Sequence, residues 1–96
     1  MSFEIILTPK AKDTLLSIVN FIKAEWGQNS AEKFVAKTYQ TLHNISMQPY
    51  LFKAYSGNDV RIVLIAKQTS VVYRIGSDKI EVLFFWDNRQ DPVITG

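Results

Sequence analysis

Apolar side chains recur along this chain with two periods, and the switches between them divide it into elements. In the opening run FEIIL, Phe3, Ile5 and Leu7 share one face at a period of two, which predicts a short strand. Thr8 and Pro9 follow. Threonine is a good helix N-cap, and proline suits the first helical position, where its missing N–H has no partner to lose. Ala11, Leu15, Ile18, Val19, Ile22 and Trp26 then recur at helical spacing, which predicts a helix with one apolar stripe. Gly27 ends it as a residue able to take positive φ. Asn29 is expected to open a second helix, with Glu32 three residues on completing a variant capping box. Ala31, Phe34, Val35, Leu42 and Ile45 mark its apolar face, bridged by Thr38 and Tyr39. Pro49 prevents its continuation and pushes Gln48 out of the α region. The short link at Gly27–Gln28 makes the two helices an antiparallel hairpin.

The segment 49–58, PYLFKAYSGN, has no clean period and reads as an aromatic-rich loop or irregular edge. Three strand-like runs follow: VRIVLIA (60–66), SVVYRI (70–75) and IEVLFFW (80–86). Polar turns at 67–69 and 76–78 separate them, the second opened by Gly76. Hairpin-length links predict an antiparallel meander. The order β-α-α-β-β-β, with helices segregated from strands, predicts an α+β fold whose helical hairpin packs on one face of an antiparallel sheet. Because the strands carry apolar residues on both faces, the face away from the helices is expected to be met by the 49–58 loop, the chain ends or a partner.

Composition narrows the class. The 96 residues are 47% hydrophobic and 21% charged with a formal charge of +2, which fits one folded domain over 1–96 and excludes a disordered chain. No apolar run approaches the roughly 18 residues of a membrane span, and the N-terminus lacks the basic and small-residue features of a signal peptide. With no cysteine, disulfides and thiolate metal sites are excluded, in keeping with a reducing cytoplasm. Charge is uneven: residues 31–80 hold seven bases against three acids, while 81–96 are net acidic. A mildly basic middle suits an anionic partner, short of the dense basic stripe of a strong nucleic-acid binder.

The chain resembles toxins of the RelE/ParE superfamily, the poison half of type II toxin–antitoxin (plasmid stabilisation) systems. The resemblance runs from Glu4 to Pro92. It is carried by Thr8-Pro9-Lys10-Ala11, Trp26-Gly27, Ala31 with Phe34, Pro49, Val60-Arg61, Val72-Tyr73-Arg74, Asp78-Lys79-Ile80 and the run Asp87-Asn88-Arg89-Gln90-Asp91-Pro92. No one of these is specific; their order and spacing within so short a chain are. The resemblance implies a small cytoplasmic bacterial protein without cofactor or metal, held inactive by a cognate antitoxin in a hetero-oligomer or as a homo-oligomer. When free, it arrests growth. RelE-like members cleave mRNA on the ribosome, with the RNA 2′-OH as nucleophile. ParE-like members poison DNA gyrase and cleave nothing.

The 2′-OH reaction needs a base, cations for the phosphorane charge and an acid for the leaving oxygen. Arg61, Arg74 and Arg89 are the cations on offer, since a planar guanidinium binds two phosphate oxygens at once. Arg61 and Arg89 are the leading candidates for function, with Arg74 and Lys53 as further target contacts. Asp87 is the carboxylate near Arg89 that could serve as a base, and an arginine neighbour lowers a carboxylate's pKa and weakens it as a base. His43 falls mid-helix, away from the strands. Ser70 stands where RelE-like chains usually place an arginine, and the tail 90–96 has no tyrosine or histidine. These departures favour the gyrase-directed mode over the endoribonuclease, with a degenerate member that only binds its antitoxin as a third reading. Tyr50, Phe52 and Tyr55 beside Lys53 suit either base stacking or cover for the core. Phe85 and Trp86, in the most apolar run, are expected in the core and along the antitoxin groove. One histidine and no cysteine leave no zinc site, and no phosphate-loop motif is present.

Overall fold

The computed structural model describes residues 2–57 and 59–88. Strand β1 (Glu4–Leu7) leads into helix α1 (Pro9–Trp26) and helix α2 (Gln28–Met47). A 3-10 turn at Pro49–Leu51 follows, then β2 (Lys53–Ser56), β3 (Val60–Ala66), β4 (Thr69–Ile75) and β5 (Lys79–Asp87). The five strands form one sheet in the order β1-β5-β4-β3-β2. The helical hairpin packs on one face, as its apolar stripes require, and the core joins Ile18, Phe34, Leu42 and Ile45 to Val71, Tyr73, Ile80 and Phe85.

Three expectations need correcting. The sheet is mixed: β1 pairs with β5 in parallel, from Glu4 with Lys79 to Leu7 with Val82, while the other pairs are antiparallel. The long excursion through both helices lets β1 run alongside β5 in the same direction. Second, residues 53–56 form a strand. All four are exposed, so no buried face gives them a pattern; pairing with β3 creates the strand, with a register shift between Ala54 and Ser56. Third, α2 begins at Gln28 without a side-chain cap, and Glu32 instead accepts the Gln28 Nε2–H bond at 2.9 Å. Gly27, at φ 96°, turns the backbone in a single residue. Its N–H donates to Lys23 O and its carbonyl accepts from Ala31 N, so it serves both helices.

The start of α1 is as predicted, and it does more than begin a helix. Thr8 Oγ accepts from Ala11 N at 3.1 Å and donates to Leu83 O at 2.9 Å. Thr8 N–H donates to Val82 O at 3.1 Å, and Thr14 Oγ accepts from Phe85 N at 2.9 Å. β1 pairs with β5 only as far as Val82, so α1 satisfies the β5 backbone groups beyond it. Thr8→Ala removes both the cap and the tie to Leu83 and should cost about 1–2 kcal/mol in a denaturant titration.

Candidate functional site

Register decides which candidate side chains share a surface. Arg61 pairs with Tyr73 across β3–β4, and Ile62 with Val72, so Arg61 and Tyr73 face the helices. Arg74 pairs with Val60 and Glu81, and Lys53 with Ile62, which places both on the opposite face. The arginines singled out from the sequence are therefore not one cluster. Arg61 lies on one face and Arg74 on the other, and Arg89 lies outside the described residues.

Arg61 is built into the fold. Its Nη1 donates to Tyr50 O at 3.2 Å and to Phe52 O at 2.7 Å, and its guanidinium lies 5.4 Å from the Tyr50 ring centre. Beside it, the fully buried Tyr73 donates its hydroxyl to Pro49 O at 2.6 Å. The two side chains thus hold two carbonyls of the 3-10 turn and that of Phe52 just after it, and the turn displays Tyr50 and Leu51 to solvent. Burial pushes the Tyr73 phenol up to about 12, with the nearby Arg61 charge pulling weakly the other way. This clamp was not legible from sequence, because its acceptors are backbone carbonyls.

On the opposite face Arg74 meets Glu81 at 3.7 Å, with both side chains about half exposed. Phe84 and Trp86 stack edge to face at 6.4 Å, and Lys10 Nζ sits 4.9 Å from the Phe84 ring centre. Ile62 and Val72 on this face are almost fully buried, whereas Leu64 is 57% exposed.

A groove of about 650 Å³ runs between α1 and the end of β5. Ile18, Phe21, Phe85 and Trp86 give it an apolar floor, and Asp13 and Asp87 add carboxylates. Phe85 is a core residue that touches this groove, and Trp86 is half-buried beside it. His43 is exposed on α2. Among the described residues no group of three or more histidines and carboxylates could hold a metal. Among the described residues no helix is long and apolar enough to cross a membrane.

A mixed five-stranded sheet backed by a helical hairpin, with basic side chains on both faces and an apolar groove beside α1, defines a small α+β domain. Residues 5–92 match the model of the ParE toxin of the type II toxin–antitoxin system parDE, and the chain belongs to that family. Solved structures share the fold. A chain of the chromosomal ParDE toxin–antitoxin system from P. aeruginosa aligns at TM-score 0.76 and 18% identity, covering 90% of this chain and 96% of that one. The YoeB dimer structure from Staphylococcus aureus aligns at TM-score 0.60 and 16% identity, covering 88% and 94%. The YoeB/ParE toxin from Agrobacterium tumefaciens aligns at TM-score 0.61 and 17% identity, covering 88% and 98%. No curated protein matches the chain in sequence.

Proposed function

We propose that this type II toxin, freed of its antitoxin in the bacterial cytoplasm, arrests growth by binding DNA gyrase and cleaves no nucleic acid itself. The observation that supports a non-cleaving mode is the state of Tyr73. A proton-transfer residue needs an accessible group that titrates near working pH. The Tyr73 hydroxyl is buried, already donates to Pro49 O and is pushed up to about 12. His43, the only histidine, sits on α2 outside the sheet. Target contact falls to Lys53, Arg61, Arg74 and Arg89, whose positive charge suits a DNA-bound enzyme. The antitoxin takes the α1–β5 groove, with Trp86 and the edge of Phe85 as its apolar contacts.

Induction of the free toxin should abolish gyrase supercoiling of plasmid DNA and leave mRNA intact. Codon-phased 5′ ends on stalled ribosomes, with Asp87 as the available carboxylate, would instead establish an endoribonuclease. Normal growth on induction of folded protein would leave a member that only binds its antitoxin. Arg61→Ala and Arg89→Ala should each relieve toxicity in a plating assay. Arg61→Lys separates charge from geometry, because an ammonium lacks the planar group that sits beside the Tyr50 ring while Nη1 donates to both carbonyls. Undiminished killing by both alanine variants would refute this assignment.

A further inference from the structure

Trp26 falls on the apolar stripe of α1 by spacing, yet its side chain is left 58% exposed. The stripe outruns the sheet: Ile22 still packs against the core, and Trp26, one turn on, does not. An edge-to-face contact with Phe21, centroids 5.8 Å apart, orients the indole. Trp26 borders a groove of about 410 Å³ between the helices and the β3–β4 turn, floored by Ile22 and Phe34. Lys33 and Lys37 from α2 and Lys67 from the turn line it, and among the described residues no carboxylate does. Lys33 and Lys37 are one helical turn apart and so lie on one side of α2. None of the three lysines makes an ion pair with a described residue. Among the described residues, a tryptophan framed by three cations recurs on neither sheet face nor in the α1–β5 groove.

We propose that this groove binds single-stranded nucleic acid, with a base stacked on Trp26 and the flanking phosphates on Lys33, Lys37 and Lys67. The chemistry favours a nucleotide strand over an acidic peptide. Carboxylates would satisfy the ammonium groups but offer no flat ring to the indole, whereas a nucleotide carries an anion and a π-face in one unit. Positive grooves with stacking aromatics bind single strands without sequence preference. The site is separate from the arginines assigned to the toxin's target and stands whether or not that target is gyrase.

Anisotropy of fluorescein-labelled oligothymidylate and oligouridylate, titrated with the purified chain, tests it. Binding should appear at low salt, with log K falling against log salt at a slope of about −2, as three phosphate contacts on a single strand require. Trp26→Ala, the Lys33→Glu/Lys37→Glu pair and Lys67→Glu should each weaken it about tenfold or more. Lys12→Glu, in the first turn of α1 and so at the opposite end of the helix from Trp26, should leave it unchanged, and circular dichroism checks that every variant folds. No binding at low salt would overturn the proposal. So would equal weakening by Lys12→Glu, or unaltered binding in Trp26→Ala. Capture of a labelled glutamate-rich peptide through the same lysines, with the oligonucleotides inert, would overturn it in favour of an acidic protein partner.

Discussion

Tyr73→Ala should lower the free energy of unfolding by about 3–5 kcal/mol, a large share of the 5–15 kcal/mol typical of a whole domain. The ring is completely buried in the core, so truncation leaves a cavity, and the hydroxyl that holds Pro49 O is lost with it. Tyr73→Phe isolates the second effect. It keeps the packing, removes the donor from a buried carbonyl and should cost about 1–3 kcal/mol. The pH dependence carries the same signature. Unfolded, the phenol titrates near 10; folded, it holds its proton to about 12. Below pH 10 both states are protonated and stability is at its full value. Between 10 and 12 the unfolded state releases a proton that the folded state retains. Stability therefore falls across that window, by about 2–3 kcal/mol. Chemical denaturation of wild type and Tyr73→Phe from pH 8 to 12 checks this: the wild type should lose more over the window than the variant. Parallel losses would show that the phenol is not held by its surroundings.

Ile80→Ala should cost about 2–5 kcal/mol, close to the largest single-side-chain effect in the chain. Ile80 is fully buried at the point where the two kinds of strand pairing meet, with Ile5 of β1 on one side and Ile75 of β4 on the other. A gap there weakens the seams on both sides of β5 at once, and the surrounding sheet cannot collapse to fill it. Leu16→Ala is the matched control. Leu16 is 60% exposed on α1, so its truncation should stay within about 0.5 kcal/mol. Urea titrations of the two variants read the contrast directly. Similar midpoints would mean that β5 is not the spine of the core.

The helices were legible because their stripes are long and their ends are marked. Thr8-Pro9 caps α1 as read, and Ala31, Phe34, Thr38, Leu42 and Ile45 are buried as their spacing requires, whereas Tyr39, read as part of the same face, is exposed. β3, β4 and β5 were legible from their apolar runs. β2 was not, because an edge strand with four exposed residues has no burial pattern to show. The parallel partnership of β1 was hidden for a different reason: period-two spacing says which face is buried but not which strand lies alongside. The same limit applied to the site. Arg61, Arg74 and Lys53 stand out as cations in a chain, but which face each occupies follows from cross-strand register. The partners of Arg61 and Tyr73 are main-chain oxygens, which no residue pattern reveals. Trp26 counted as one more apolar position on a stripe until the length of the sheet showed where the stripe runs out.

Thr8 and Thr14 have a consequence for how the protein behaves in a crowd of its own copies. Unpaired amides and carbonyls along a sheet margin template the addition of foreign strands. Where β1 stops at Leu7, two hydroxyls from α1 occupy the ribbon that a neighbouring molecule would otherwise extend. The far margin is β2, four residues long and interrupted by a register shift, which makes it a poor template. The stretch of β5 beyond β1 is thus closed to self-propagation by a helix, and the β2 border is blunted by brevity and irregularity.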